Sequence, residues 1–435
     1  MVAMDIQEVN HVSDDIISRL LGLQPDFVFE RLNPRTRDPV QTFVGFGGRK
    51  DELWKEDQKT VFSQLRKRLA SNNANSDMGP PGASGGVLAI LGYELLSGVS
   101  PNHGERETPA AILLEPDLLV TLDHAADRAF LARGINAASE LYDDVLAAFA
   151  NPVAPFEAAD EAVVGSTSWS AQISEVAFCE IARQAIAQMG KGKPVEGAVL
   201  SVRLRSPDRC DALKAYKRLR RINPSTYMFI ARTTSVEAWG ATSLGLVQMS
   251  NGHFLAETDG ATHPYEAGDF VWTPSPKEID EYDVVVSALK DALTPLADNS
   301  GARFVSQMEE RRFFNLAHLF ASMEGRLAEG RDGLDLVAAL SPHGAAVGYK
   351  RQPALELIAK SEPTARDFFA GTIGFFGYDG SVDSAAVTRS MWQTDKGMTV
   401  HAGAKVVPAS LPEEEYRECV LKTLALRKCV GGRYE

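Results

Sequence analysis

The sequence is poor in several features, and each shortage narrows its function. Of 435 residues only 4 are cysteine (Cys179, Cys210, Cys419 and Cys429), with no CxxC pair and no metal-type spacing. That scatter argues against a disulfide scaffold or a thiolate metal centre, so reduced thiols in a cytoplasmic protein are expected. No apolar run is long enough to cross a bilayer. The first residues, MVAMDIQEVNHVSDD, lack the basic and apolar regions of a secretion signal. Basic charge is in deficit, with 45 Lys and Arg against 58 Asp and Glu. A net-negative surface repels nucleic acid and anionic membranes, so neither is an expected partner. The local exception, Lys214 to Arg221 (KAYKRLRR), has the spacing of a solvated helix face with Leu213, Tyr216 and Leu219 turned inward. Single-motif chemistry is sparse as well: there is no P-loop, no GxGxxG after a strand and no HExxH.

What is present is a large chain with two breaks. Asn72 to Gly86 (NNANSDMGPPGASGG) reads as a long loop, and the small, acidic stretch Asn151 to Ser168 reads as a linker. The expected division is an amino-terminal region 1–150, a linker 151–170 and a larger region 171–435, the two regions packing as one unit. Apolar runs at Val87 to Leu91 and Ala111 to Val120 predict strands, and Ala138 to Ala150 predicts a helix. Further on, helices are expected at Val176 to Met189, Asp208 to Ile222, Ser275 to Leu296, around Arg311 to Leu327, at Leu334 to Leu340 and at Pro412 to Lys428. Strands are expected at Gly197 to Leu204, Tyr227 to Ala231, Val236 to Trp239, Gly245 to Met249, His253 to Glu257, Ala370 to Phe376, Ala385 to Met391 and Met398 to Ala402. Both element types abound without regular βα alternation, which predicts an α+β class.

Five ordered segments carry a resemblance. They are RLRRINPSTYMF (Arg218 to Phe229), DGATHP (Asp259 to Pro264), GTIGFFGYDGSVDSAAVTR (Gly371 to Arg389), HAGAKVV (His401 to Val407) and PEEEYRECVLK (Pro412 to Lys422). In this order they resemble the chorismate-utilising enzymes, the family of anthranilate synthase component I and aminodeoxychorismate synthase. SGGVLAILGYE (Ser84 to Glu94) resembles the amino-terminal domain of component I enzymes. The resemblance implies two packed β-sheets flanked by helices. It also implies a Mg²⁺ ion on Glu281 and Glu418, completed by ligand oxygens as that ion prefers. Both glutamates would otherwise be ordinary exposed helix residues. The substrate's carboxylates would lie on Arg389, Lys422 and the backbone at Gly403 and Ala404, with Thr262 and Gly348 beside the substrate. The alternative for Arg389 is a structural pair with Asp379 or Asp383.

The same register shows what has been lost. Gly197 stands at the family's base position, Leu244 at its acid, Asn315 at the histidine of its RYSH motif and Phe375 at a nearby tyrosine. Glycine and leucine cannot transfer protons. In exchange, Lys405 replaces a glycine of the family's AGAGIV strand, His401 opens that strand, His263 replaces an arginine, and Tyr349-Lys350 sits in the SGAPK-like loop. Lys405, His401 and Lys350 are therefore the candidate new catalytic groups, with drift after loss of function as the alternative. Lys193 and Glu196 lie near the vacated base position.

Three readings stay open. One is a Mg²⁺-dependent lyase running altered elimination chemistry on chorismate or a related small polycarboxylate, in specialised biosynthesis. Another is a non-catalytic paralogue that binds a ligand or partner subunit. The third is orthodox synthase chemistry with relocated catalytic groups. The resemblance implies a glutamine amidotransferase subunit for ammonia-using relatives, and the vacated base position argues against one here. A homodimer stays open. The tryptophan feedback signature of component I enzymes is not recognisable near Phe29 to Asn33, so no feedback by tryptophan is expected.

Overall fold

Alternating β-branched and aromatic runs, punctuated by Gly, Pro and Asn turns, build two antiparallel sheets. The computed structural model describes residues 5–10, 16–71, 79–99, 106–150, 167–264, 272–313 and 316–431. Among these residues one sheet has 12 strands and the other 9. The larger sheet runs through Phe27–Leu32, Tyr227–Arg232, Glu237–Thr242, Ser390–Thr394, Gly397–Val406 and Gly197–Ser206 as neighbours. The smaller one places Leu316–Arg326, His253–Pro264, Gly245–Ser250, Val382–Ala386, Thr372–Gly377 and Gly86–Leu91 side by side. Phe27–Leu32 pairs with Tyr227–Arg232, and Gly86–Leu91 pairs with Thr372–Gly377. Each sheet thus takes strands from both sides of residues 151–170, of which 151–166 lie outside the described residues.

The faces of the two sheets meet in an aromatic core. Phe43 of the larger sheet stacks on Phe375 of the smaller at 4.1 Å, and Phe27, Phe29, Trp239 and Trp392 are buried. Each such ring contributes on the order of 1.5–3 kcal/mol by leaving water. Phe375 is thus a packing residue.

Two helices matter most for the site. Pro276–Leu293 begins with Ser275, whose side chain accepts from Glu278 N while the Glu278 carboxylate accepts from Ser275 N, and Pro276 fits the first turn. This helix crosses His253–Pro264 so closely that a Cβ on Gly260 would lie 2.6 Å from Tyr282 Cα. Pro412–Lys422 packs on Gly397–Val406, with Glu413, Glu414 and Glu415 in the first turn, where the helix dipole favours acid. No helix among the described residues is long and apolar enough to cross a membrane.

Four expected elements differ. The strand expected at Ala385 to Met391 divides between Val382–Ala386 of the smaller sheet and Ser390–Thr394 of the larger. The closing helix breaks at Thr423 into Pro412–Lys422 and Leu424–Cys429. The segment from Arg311 to Leu327, expected to be helical, holds the end of one strand and the whole of the next, Arg303–Arg312 and Leu316–Arg326. Its Leu, Ala and Met content favours a helix locally, but pairing with His253–Pro264 along its whole length overrides that preference. The apolar run at Ala111 to Val120 divides at Pro116 into Ala111–Glu115 and Leu118–Asp123, which belong to different sheets. The Ala212–Ile222 helix buries Leu213, Tyr216 and Leu219 as expected, and Arg220 ion-pairs with buried Glu30 at 2.6 Å.

Candidate active site

The site lies where the two sheets come together at Gly397–Val406 and His253–Pro264. Because side chains alternate along a strand, Gly403 and Lys405 face the same way, into an inner cavity of about 80 Å³. Gly403 must be small, since a Cβ there would lie 2.7 Å from Val199 Cγ1. Asp259, Thr262, His318, Arg389, Glu418 and Lys422 also line this cavity. An outer chamber of about 630 Å³ adjoins it, and Lys405 lines both. Glu281, Gly348, Gly197, Glu196 and Tyr349 line only the outer chamber.

His318 is the hub of the inner cavity. Arg389 Nη2 lies 3.0 Å from His318 Nε2, and Thr262 Oγ1 lies 3.1 Å from His318 Nδ1. A guanidinium can only donate, so Nε2 accepts and the ring proton sits on Nδ1. Burial lowers the His318 pKa well below the ordinary value, and the charges of Arg389, Lys422 and Lys405 lower it further. His318 is therefore neutral. Asp259 Oδ2 lies 3.8 Å from His318 Nδ1. Burial raises the Asp259 pKa, opposed by Lys405, Arg389 and Lys422 in that order. The Arg389 pKa is lowered by desolvation against the pull of Asp259 and Glu418. Lys422 Nζ donates to the Gly403 carbonyl at 2.9 Å and pairs with Glu418 at 2.7 Å. With His318 neutral, the lining carries Arg389, Lys405 and Lys422 against Asp259 and Glu418, so positive charge is in excess whether or not Asp259 holds its proton.

The sequence-predicted residues divide accordingly. Thr262, Arg389, Gly403, Lys422, Lys405 and Glu418 come together in the inner cavity, whereas Gly348 and Glu281 belong to the outer chamber. Gly348 has φ 118°, and a Cβ there would lie 2.3 Å from the Gly197 carbonyl. Ala404 is fully buried in its strand and lines neither cavity. Lys350 is exposed and outside both. His401 is also outside, 1% exposed, stacked on Phe369 at 4.6 Å with Nε2 2.9 Å from Ser201 Oγ. The Ser201 hydroxyl donates to Glu362 at 2.8 Å, so His401 Nε2 is the donor to Ser201. Glu362 is held in turn by Arg366 at 2.6 Å, and Arg366 also bonds the Val199 carbonyl. This placement sets His401 and Lys350 outside both cavities, with His401 packed behind Phe369, which lines the inner one with Val199.

Arg389 pairs with neither Asp379 nor Asp383. Asp383 is taken by Arg31 at 2.7 Å and Tyr227 at 2.6 Å, and Asp379 accepts from Ser381 and Gly82 N. Lys193 is bound to the Ala187 carbonyl at 3.1 Å. Leu244 lines the inner cavity as an apolar wall, and Asn315 lies outside the described residues. Sequence reasoning missed His318, hidden in a segment expected to be helical, and Asp259. The signal for Asp259 was an acid inside the DGATHP turn, on a strand otherwise turned toward the core.

Comparison with known proteins accords with this architecture. A family model described as chorismate binding enzyme matches residues 24–428. The chain is similar to anthranilate synthase component 1 of Streptomyces coelicolor, 32% identical over 400 residues that span 85% of this chain and 77% of that one. It is similar to the same component of Thermus thermophilus at 27% over 360 residues, covering 80% and 77% of the two chains. Among solved structures, anthranilate synthase component I from Streptococcus pneumoniae superposes with a TM-score of 0.73 at 19% identity, covering 97% of this chain and 92% of that one. The menaquinone-specific isochorismate synthase of Escherichia coli gives 0.71 at 17%, covering 99% and 95%.

Proposed function

Because the chain belongs to the family of chorismate-binding enzymes, we propose that it is an enzyme acting on chorismate or a closely related cyclic dicarboxylate by elimination, with Asp259 as its proton-transfer group. The observation that carries this reading is Asp259 itself, a largely buried carboxyl 3.8 Å from neutral His318 in a cavity also lined by Arg389, Lys405 and Lys422. The excess of positive charge favours a ligand with more than one carboxylate. Arg389 offers a planar donor fork, and Lys422 adds a charge fixed to the Gly403 carbonyl.

Desolvation holds the Asp259 proton to higher pH than a free carboxyl would, as a general acid requires. In the reaction the ring C–O bond breaks and the departing oxygen takes the Asp259 proton. The carboxylate so formed then takes a ring hydrogen as the C–H electrons become the new double bond. One group thus closes the proton balance, which suits a site whose usual base and acid positions hold Gly197 and Leu244. His318 orients the site, presenting Nδ1–H to Thr262 and holding Arg389 through Nε2. An elimination of this kind consumes no ammonia and so calls on no amidotransferase subunit.

The carboxylates expected to hold Mg²⁺ fit that ion poorly. Glu281 and Glu418 line different cavities, and Lys405 lines both. Glu418 is also engaged by Lys422. Among the described residues no group of three or more His, Cys, Asp or Glu side chains forms a metal site. No step is therefore routed through a metal.

The test is incubation with chorismate, with and without ammonium, read by mass spectrometry. A product that has lost a neutral fragment, formed equally in both conditions, is expected. An amino-substituted product, or isochorismate, would overturn the reading.

A further inference from the structure

The lysine at position 405 stands two residues after Gly403 on the strand Gly397–Val406, following the small residues Ala402, Gly403 and Ala404. Its side chain belongs to the lining of both cavities. One of them contains Glu418 and the other Glu281. We propose that the Lys405 ammonium takes the place of a divalent cation in this site, standing between Glu418 and Glu281 as a permanent positive charge that receives the ligand's carboxylate and keeps Mg²⁺ out.

Three observations carry it. Position is the first: an ion bridging Glu418 to Glu281 would have to sit at the junction of the two cavities, which is lined by the lysine. Charge is the second. Arg389, Lys405 and Lys422 already outnumber Asp259 and Glu418 in the inner cavity. A doubly charged ion would be repelled by a close ammonium in a partly desolvated cleft, where the effective dielectric is well below that of water. The third is the fate of Glu418, whose carboxylate is already shared with Lys422 at 2.7 Å through one helical turn. A lysine differs from a metal in a useful way here. It cannot be lost by dilution or chelation, and it offers directional N–H donors to a carboxylate rather than open coordination positions.

The inference deepens the reading of the inner cavity as a carboxylate site, but its test does not depend on turnover. Free Mn²⁺, a spectroscopic stand-in for Mg²⁺, is followed by electron paramagnetic resonance as the protein is added. The wild-type protein is expected to leave the free signal unchanged at millimolar Mn²⁺. Lys405→Gly and Lys405→Ala are expected to capture one ion per chain at least tenfold more tightly, and adding Glu418→Gln should abolish that capture. Circular dichroism checks that each variant is folded.

Two results would overturn the proposal. One is Mn²⁺ capture by the wild-type protein that Glu418→Gln abolishes, which is decisive even if the lysine variants fail to fold. The other is folded lysine variants that bind Mn²⁺ no better than the wild type. A protein that leaves chorismate untouched would still give either metal result, so failure here and failure of the elimination reading are separable.

Discussion

Arg389 shows how much of this account rests on individual side chains. It is half-buried, hydrogen-bonded to the one nitrogen of His318 that can accept, and close to two carboxylates. Replacing it by lysine keeps a charge but loses the planar fork, so chorismate binding should weaken by roughly tenfold to a hundredfold, the size of one or two charge-assisted hydrogen bonds. Isothermal calorimetry reads this directly; unchanged affinity would show that the ligand's carboxylate lies elsewhere. That Arg389, Thr262 and Lys422 share one cavity was legible because flanking motifs fixed their register. Asp259 and His318 were not. Their roles depend on strands distant in sequence that bring them within 3.8 Å of each other, and no periodicity reveals that. His401 was misread for the same reason. A histidine on a site strand looks catalytic until Phe369, Ser201 and Glu362 are seen around it.

At the scale of elements, the wall behind the site depends on a buried polar chain linking Gly197–Ser206 to the segment after the Arg351–Ser361 helix. Glu362 accepts from Ser201 N, Ser201 Oγ and Arg366, and Arg366 is 1% exposed. Arg366→Met would leave the Glu362 carboxylate buried and uncompensated, at a cost of about 3–5 kcal/mol. A urea titration should show this as a lower midpoint; a shift under about 1 kcal/mol would mean that water already serves Glu362. On the strand Phe27–Leu32, Arg31 faces a cavity of about 440 Å³ and is tied to Asp383. Tryptophan should therefore leave the melting temperature unchanged, whereas a rise with concentration would reveal a native-state site for it. Most strands and helices were legible from alternation and turn chemistry. Leu316–Arg326 was not, because a central strand buried by its neighbours on both sides needs no β-type composition to form.

Across the whole molecule, stability should depend on pH through buried acids. Burial, and then the nearby Asp367 charge, raise the Glu94 pKa from 4.5 to about 7. One of its oxygens accepts from Arg366 N at 2.7 Å, while the other finds no hydrogen-bond partner among the described residues, as suits a protonated carboxyl. A folded-state pKa above the unfolded one means that the contribution is full below pH 4.5 and is lost as pH rises through 7. Glu94→Gln should flatten the decline in stability over that interval, as measured by denaturant midpoints across pH. An unchanged slope would place the decline in other groups.

The central claim is that one largely buried carboxyl, Asp259, moves the proton in the proposed reaction. The measurement that reaches it most directly is chorismate consumption by wild-type protein and by Asp259→Asn, each treated with chelator, with binding followed in parallel. The account predicts metal-independent consumption by the wild type, a fall of about 10²-fold or more in the variant, and similar affinity in both. Consumption that survives in Asp259→Asn, or that appears only when Mg²⁺ is restored, would contradict it.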